Sequence, residues 1–212
     1  RARHLATLDD HADLADGLLA LYAADFDPAW VEAARSLADA MLELFADGAG
    51  AGFFMSGTDA PALVARTRDL EDHPSPAGNS QAAWVLARLQ LLTGDTRFAD
   101  AARGAVAVVA EQAGRWPQAF SRALATIDLL SSPPVEVAVM GRLDDPRTVA
   151  LVDAARARLP ASTLIEGDAS RALWAAIASL YGHARADDII WRCPLPANCA
   201  PALAALLPPD AR

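Results

Sequence analysis

The chain has 212 residues, 53% of them hydrophobic, enough for one sizeable core or a core with a small second domain. A net charge of −9 argues against nucleic acid and anionic membrane as partners, and the 18 basic residues are all arginine, which excludes Schiff-base and P-loop lysine chemistry within this chain. No run of residues is long and apolar enough to span a membrane, and no hydrophobic leader follows Arg1–His4, so a cytoplasmic protein without cofactor or metal is expected.

In chain order, Asp9 to Ala24 reads as a helix, with Ala15, Leu18, Leu19 and Tyr22 spaced as one buried face. Pro28 to Ala46 is a second helix, with proline at the first position, where its missing N–H costs nothing. Gly52–Ser56 is expected to be extended and to pair with Leu63–Arg66 as a small hairpin. A polar loop, Asp69 to Gly78, precedes helices at Ser80–Leu92, Thr96–Gln112 and Gln118–Leu130, the last ended by Pro133-Pro134. Val135–Met140 is then β-rich, Asp145-Pro146 opens a helix to about Arg158, and Ser162–Ile165 is a second strand, so a parallel β-α-β unit is expected. A helix over Asp168–Tyr181, a strand over Asp188–Cys193 and a helix over Asn198–Leu207 complete the reading. The turn at Gly141–Pro146 lacks G-x-G-x-x-G and reads as structural.

Part of the chain recurs 68 positions later. Leu18 falls on Leu86, Asp27 on Asp95, Trp30 on Phe98, and Ala33-Ala34 on Ala101-Ala102. Asp27 and Asp95 suit helix N-caps, because a carboxylate accepts the free N–H groups of a first turn. Such self-similarity is the mark of stacked helical hairpins. The expected class is therefore mainly α, with residues 1–132 helical and 133–212 a small α/β appendage.

Five strings, in order, resemble the C-terminal part of the spermatogenesis-associated protein 20-like family: Leu8–Tyr22, Gly50–Phe54, Asp72–Ser80, Leu130–Gly141, and the pair Cys193 and Cys199. The sequence departs from that family at His11, where an aromatic residue is usual, at Ala77, where serine is usual, and in a slightly wider cysteine spacing. The resemblance implies a partial (α/α)6 toroid, related to N-acylglucosamine epimerases and glycosidases. The toroid's N-terminal half and a thioredoxin-like domain would be its missing partners. It also implies a sugar-like small-molecule ligand, and the exposed edge of a partial ring would suit a homo-oligomer mate.

In such a ring the inner helices point their N-terminal ends at one rim. The expected catalytic carboxylates there are Asp9, Asp10 and Asp72, since one carboxyl can protonate a leaving oxygen while another activates water. His11, His73, Asn79 and Trp84 are the expected substrate-binding residues, with Trp116 a further aromatic surface. The same residues also suit plainer roles, as helix caps for Asp9, Asp10 and Asn79 and as packing for Trp84. The alternative functions are a thioredoxin-linked redox or client-handling module, resting on Cys193 and Cys199, and a non-catalytic structural fragment.

Overall fold

A computed structural model describes residues 5–48, 51–61, 64–131, 136–139, 144–158 and 164–167. The expected elements beyond residue 167, with Cys193 and Cys199, lie outside the described residues. The chain is mainly α. Its elements are α1 (Leu8–Asp25), α2 (Pro28–Leu44), α3 (Gly78–Thr93), α4 (Thr96–Arg115), a 3-10 turn (Pro117–Ala119), α5 (Ser121–Ser131), β1 (Glu136–Val139), α6 (Pro146–Arg158) and β2 (Leu164–Gly167). Two compact units divide the described residues. One lies within 1–20 and 29–132, the other within 21–28 and 133–212.

The repeat is visible in the backbone. α1 and α3 end at Asp25 and Thr93, and α2 and α4 begin at Pro28 and Thr96, so both boundaries recur at the sequence offset of 68. Each turn uses the same device. Gly94 stands left-handed at φ 72° and its N–H donates to Gln90 O at 2.8 Å. At the matching position Phe26 stands at φ 60° and its N–H donates to Tyr22 O at 2.7 Å. Glycine takes that conformation freely, whereas a side chain there costs about 1–2 kcal/mol. Phe26 offsets the cost by being buried edge-on to Tyr22, 5.9 Å between rings, under the guanidinium of Arg156. Asp95 caps α4 by accepting from Arg97 N at 3.0 Å, as its position in the repeat predicts.

α3 is the central helix of the first unit. Gly78 to Ala83, Val85 to Ala87, Leu89 and Leu92 are all buried along it. It packs on α4 and α5. Val109 and Ala113 of α4 meet Phe120 and Ala123 in a core that Leu70 and Leu124 flank. α1 lies beside α3 and runs parallel to it, because Asp9 abuts Gly78 while Asp16 bonds Trp84 and Arg88 further along.

The segment between α2 and α3 differs from the expected hairpin. Phe53 bridges antiparallel to Ala46, with Phe54 N donating to Phe45 O at 2.9 Å, and Met55 N donates to Thr67 O at 2.8 Å. The extended residues thus pair back onto the end of α2. Arginines hold the rest: Arg66 donates to Ser56 O and Leu44 O, Arg68 to Ala51 O and Asp47, and both guanidiniums lie over the Phe54 ring. Spacing alone could not show this, because long side chains here replace a ladder.

Asn79 ties this segment to the helices. It is 1% exposed; its Oδ1 accepts from Phe53 N at 3.0 Å and its Nδ2 donates to Ala105 O at 3.0 Å. In the second unit β1 and β2 pair in parallel, Glu136 with Leu164 through Val139 with Gly167, as the β-α-β pattern predicts. Asp145 caps α6 by accepting from Arg147 N at 2.9 Å. Arg156 caps the last turn of α1, donating to Ala23 O and to Ala24 O.

Replacing Asn79 with Ala would leave a buried N–H and a buried carbonyl unpaired. The expected loss is about 2–5 kcal/mol of stability, read as a lowered urea midpoint with an unchanged slope.

Candidate functional site at the start of α3

Every expected site residue of the first unit gathers around the first turns of α1 and α3, except Trp84, which stands further along α3. α1 starts as it does because Thr7 and Asp10 form half of a capping box. Thr7 N and Thr7 Oγ1 donate to Asp10 Oδ2 at 2.8 and 3.0 Å. Those two bonds hold the Asp10 carboxyl below the usual carboxylate range. His11 is half-buried, its Nδ1 donating to Thr7 O at 2.8 Å and its ring edge-on to Phe45 at 5.0 Å.

α3 starts without a side-chain cap of its own, since Ala77 at the N-cap has none to offer. Asp72 supplies the order from the preceding loop. Its Oδ1 accepts from Ala77 N at 2.9 Å, and its Oδ2 accepts from Arg122 N, in the first turn of α5, at 2.8 Å. One carboxylate thus joins the starts of two helices. His73 is exposed on the same loop, its N–H bonded to Ser75 O at 3.0 Å.

Asp9 is placed differently. It is half-buried against Gly78, where an added Cβ would collide with its carboxyl, so only glycine allows this approach. Its Oδ1 is buried and has no hydrogen-bond partner among the described residues. Burial, then the charges of Asp69, Asp13 and Asp10, hold the Asp9 carboxyl above its ordinary range. Asp13, one turn on, is raised by burial and by Asp16, against the pull of Arg122.

Asp16 closes the row. It accepts from Gln81 Nε2 at 3.1 Å, Trp84 Nε1 at 3.1 Å and Arg88 NH1 at 2.9 Å. The Trp84 ring carries the Arg122 guanidinium at 5.1 Å and the Arg88 guanidinium at 5.8 Å. Asp16 and Trp84 are 68 residues apart, so equivalent positions of the two hairpins touch.

Among the residues named from the sequence, Asp72, Asn79 and Trp84 therefore spend their side-chain polar atoms on the fold itself, and Asp10 spends one carboxylate oxygen on it. Asp9 instead keeps a buried oxygen without a partner among the described residues. Sequence reasoning passed over its neighbours. Asp9, Asp13 and Asp16 follow a helical spacing that was legible as a stripe, whereas Asp69 and Arg122 arrive from other elements and left no local signal. Among the described residues no cluster of three or more His, Cys, Asp or Glu is arranged to hold a metal, and no helix is long and apolar enough to cross a membrane.

No protein-family profile matches the chain. It is 30% identical over 185 residues to spermatogenesis-associated protein 20 of Homo sapiens, an alignment covering 85% of this chain and 24% of that protein. The Rattus norvegicus protein of the same name is 30% identical over 188 residues, 85% of this chain and 23% of its own length. The chain is thus related to spermatogenesis-associated protein 20, and spans about a quarter of the length of the curated relatives it matches.

The raised Asp9 carboxyl has a consequence for stability. A group whose folded value lies above its unfolded value, near 3.8, adds stability that is fully present below 3.8 and is lost as pH rises through the folded value. Asp9→Asn removes that loss. The variant is expected to melt about 1–3 °C above the parent at pH 7, the gap closing as pH falls toward 3.8. Thermal melts across that range check it; an equal gap at both ends would contradict the assignment.

Proposed function

We propose, from the relationship to spermatogenesis-associated protein 20 and the geometry at the start of α3, that this chain carries the rim of a helical-hairpin toroid that binds or processes a carbohydrate. Stacked hairpins with parallel α1 and α3 support the ring architecture, because successive inner helices of such a ring run the same way. The single observation that carries the chemistry is Asp9. Of the three candidate carboxylates it alone has a buried oxygen with no hydrogen-bond partner among the described residues, and Asp69 lies close enough to raise its proton affinity.

Two neighbouring carboxyls, one of them drawn toward its protonated form, are the arrangement acid–base catalysis on sugars uses. In this reading Asp9 donates a proton to a sugar oxygen and Asp69 supplies the charge that keeps Asp9 a proton carrier. Asp10 and Asp72 position the helix starts instead of touching substrate. His11 and His73 flank the rim as binding groups.

The test is a titration of the full chain with a panel of neutral mono- and disaccharides, followed by ligand-observed NMR. Binding is expected for at least one sugar and is expected to be lost in Asp9→Asn and Asp69→Asn. Where the sugar is turned over, Asp9→Asn should lower kcat by roughly 10²–10⁴-fold. A panel that shows no binding, or binding untouched by both substitutions, would sink the reading.

A further inference from the structure

Arg122 stands out among the charged groups of the first unit. Every other arginine whose side chain is described reaches a carboxylate or a main-chain carbonyl. Among the described residues Arg122 reaches neither. Its guanidinium lies on the Trp84 indole at 5.1 Å, and its charge is felt by Asp13 without an ion pair forming. It is half-buried, so its N–H groups are partly withdrawn from water as well. A stacked guanidinium with unused donors is an ordered fork whose geometry suits a carboxylate or phosphate.

The fork borders a cleft of about 280 Å³ between the loop before α3 and the start of α5. Asp72, His73, Pro74, Ser121, Arg122 and Ala125 are among its lining residues. His73 adds a ring that can donate, and Ser121 a hydroxyl. Asp72 is the one acidic group of the lining, and both its oxygens already accept main-chain N–H groups, from Ala77 and Arg122. Its charge is therefore turned onto the helix starts. Pro74 and Pro76 stiffen the opposite wall. The volume lies just below the roughly 300–1,000 Å³ of pockets that enclose a whole ligand. It suits one charged group of a larger molecule.

We infer that this cleft is an anion subsite, in which Arg122, with His73 and Ser121, binds the phosphate or carboxylate of a small molecule. The stacking on Trp84 sets the direction of the fork, and Trp84 is itself held by Asp16. The subsite is therefore wired to the packing of α1 on α3. It does not depend on Asp9 acting on sugars, since an anion with no sugar attached is enough to occupy it.

Calorimetric titration of the full chain with inorganic phosphate, with glucuronate and with glucose separates the cases. Phosphate, glucuronate or both are expected to bind, and which of them binds identifies the anion. Arg122→Gln is expected to weaken that binding at least tenfold. His73→Asn, on an exposed loop, should weaken it a few-fold while leaving the melting temperature unchanged. That second variant keeps the test valid if Arg122→Gln unfolds. The subsite is overturned if neither anion binds, if an anion binds equally well to the parent and to both variants, or if glucose competes as well as the anions do.

Discussion

The carboxylate of Asp16 is the contact on which the arrangement of the first unit depends. Three donors from three positions along α3 converge on it, from Gln81, Trp84 and Arg88. A carboxylate that accepts several bonds, one of them from a half-buried guanidinium, fixes both the height and the rotation of α1 against its neighbour. Burial pushes the Arg88 guanidinium below its usual range, and Asp16 is what draws it back up. Removing either partner would strand the other in a partly dry interface, which is costlier than never having built the pair.

The register set at Asp16 decides what happens two turns earlier. Asp13 meets Gln81, its equivalent in the second hairpin, and Asp9 is carried onto Gly78, one residue past its own equivalent. Residue 78 must then be small. The carboxyl of Asp9 is pressed into a site where Asp69 also approaches, and the price is a raised proton affinity. The same register aims the Trp84 ring so that it receives Arg122 from α5. A carboxyl inclined to hold a proton and a guanidinium without an acceptor among the described residues are thus two products of one packing constraint.

Caps distribute the remaining polar groups. Asp10, Asp72, Asp95 and Asp145 each accept main-chain N–H groups at a helix start. An acidic chain has many carboxylates to place, and helix N-termini are where a negative charge is favoured. Of the carboxylates first read as catalytic, only Asp9 keeps a buried oxygen without a partner among the described residues. Asp72 is the clearest case. Its position in a polar loop next to His73 looks like a ligand site, yet its two oxygens are used to start α3 and α5.

Much was determined by the sequence alone, because the signals were local or periodic. The mainly helical class, both hairpin turns, the cap at Asp95, the parallel β1–β2 pairing and the relationship to spermatogenesis-associated protein 20 follow from spacing, turn chemistry and ordered motifs. Asp16 and Trp84, also 68 residues apart, meet in the structure. Only the tertiary structure decided the roles. Asn79 read as a substrate-binding residue or a helix cap and is a buried tie between two main chains, because its neighbours in space are Phe53 and Ala105, each 26 residues away. The pairing of the segment after α2 depended on arginines reaching back across loops. Asp69 and Arg122 joined the site from elements with no periodic mark. A carboxylate's role depends on which donors and charges surround it, and those are brought together by packing, which a linear pattern of residue types does not encode.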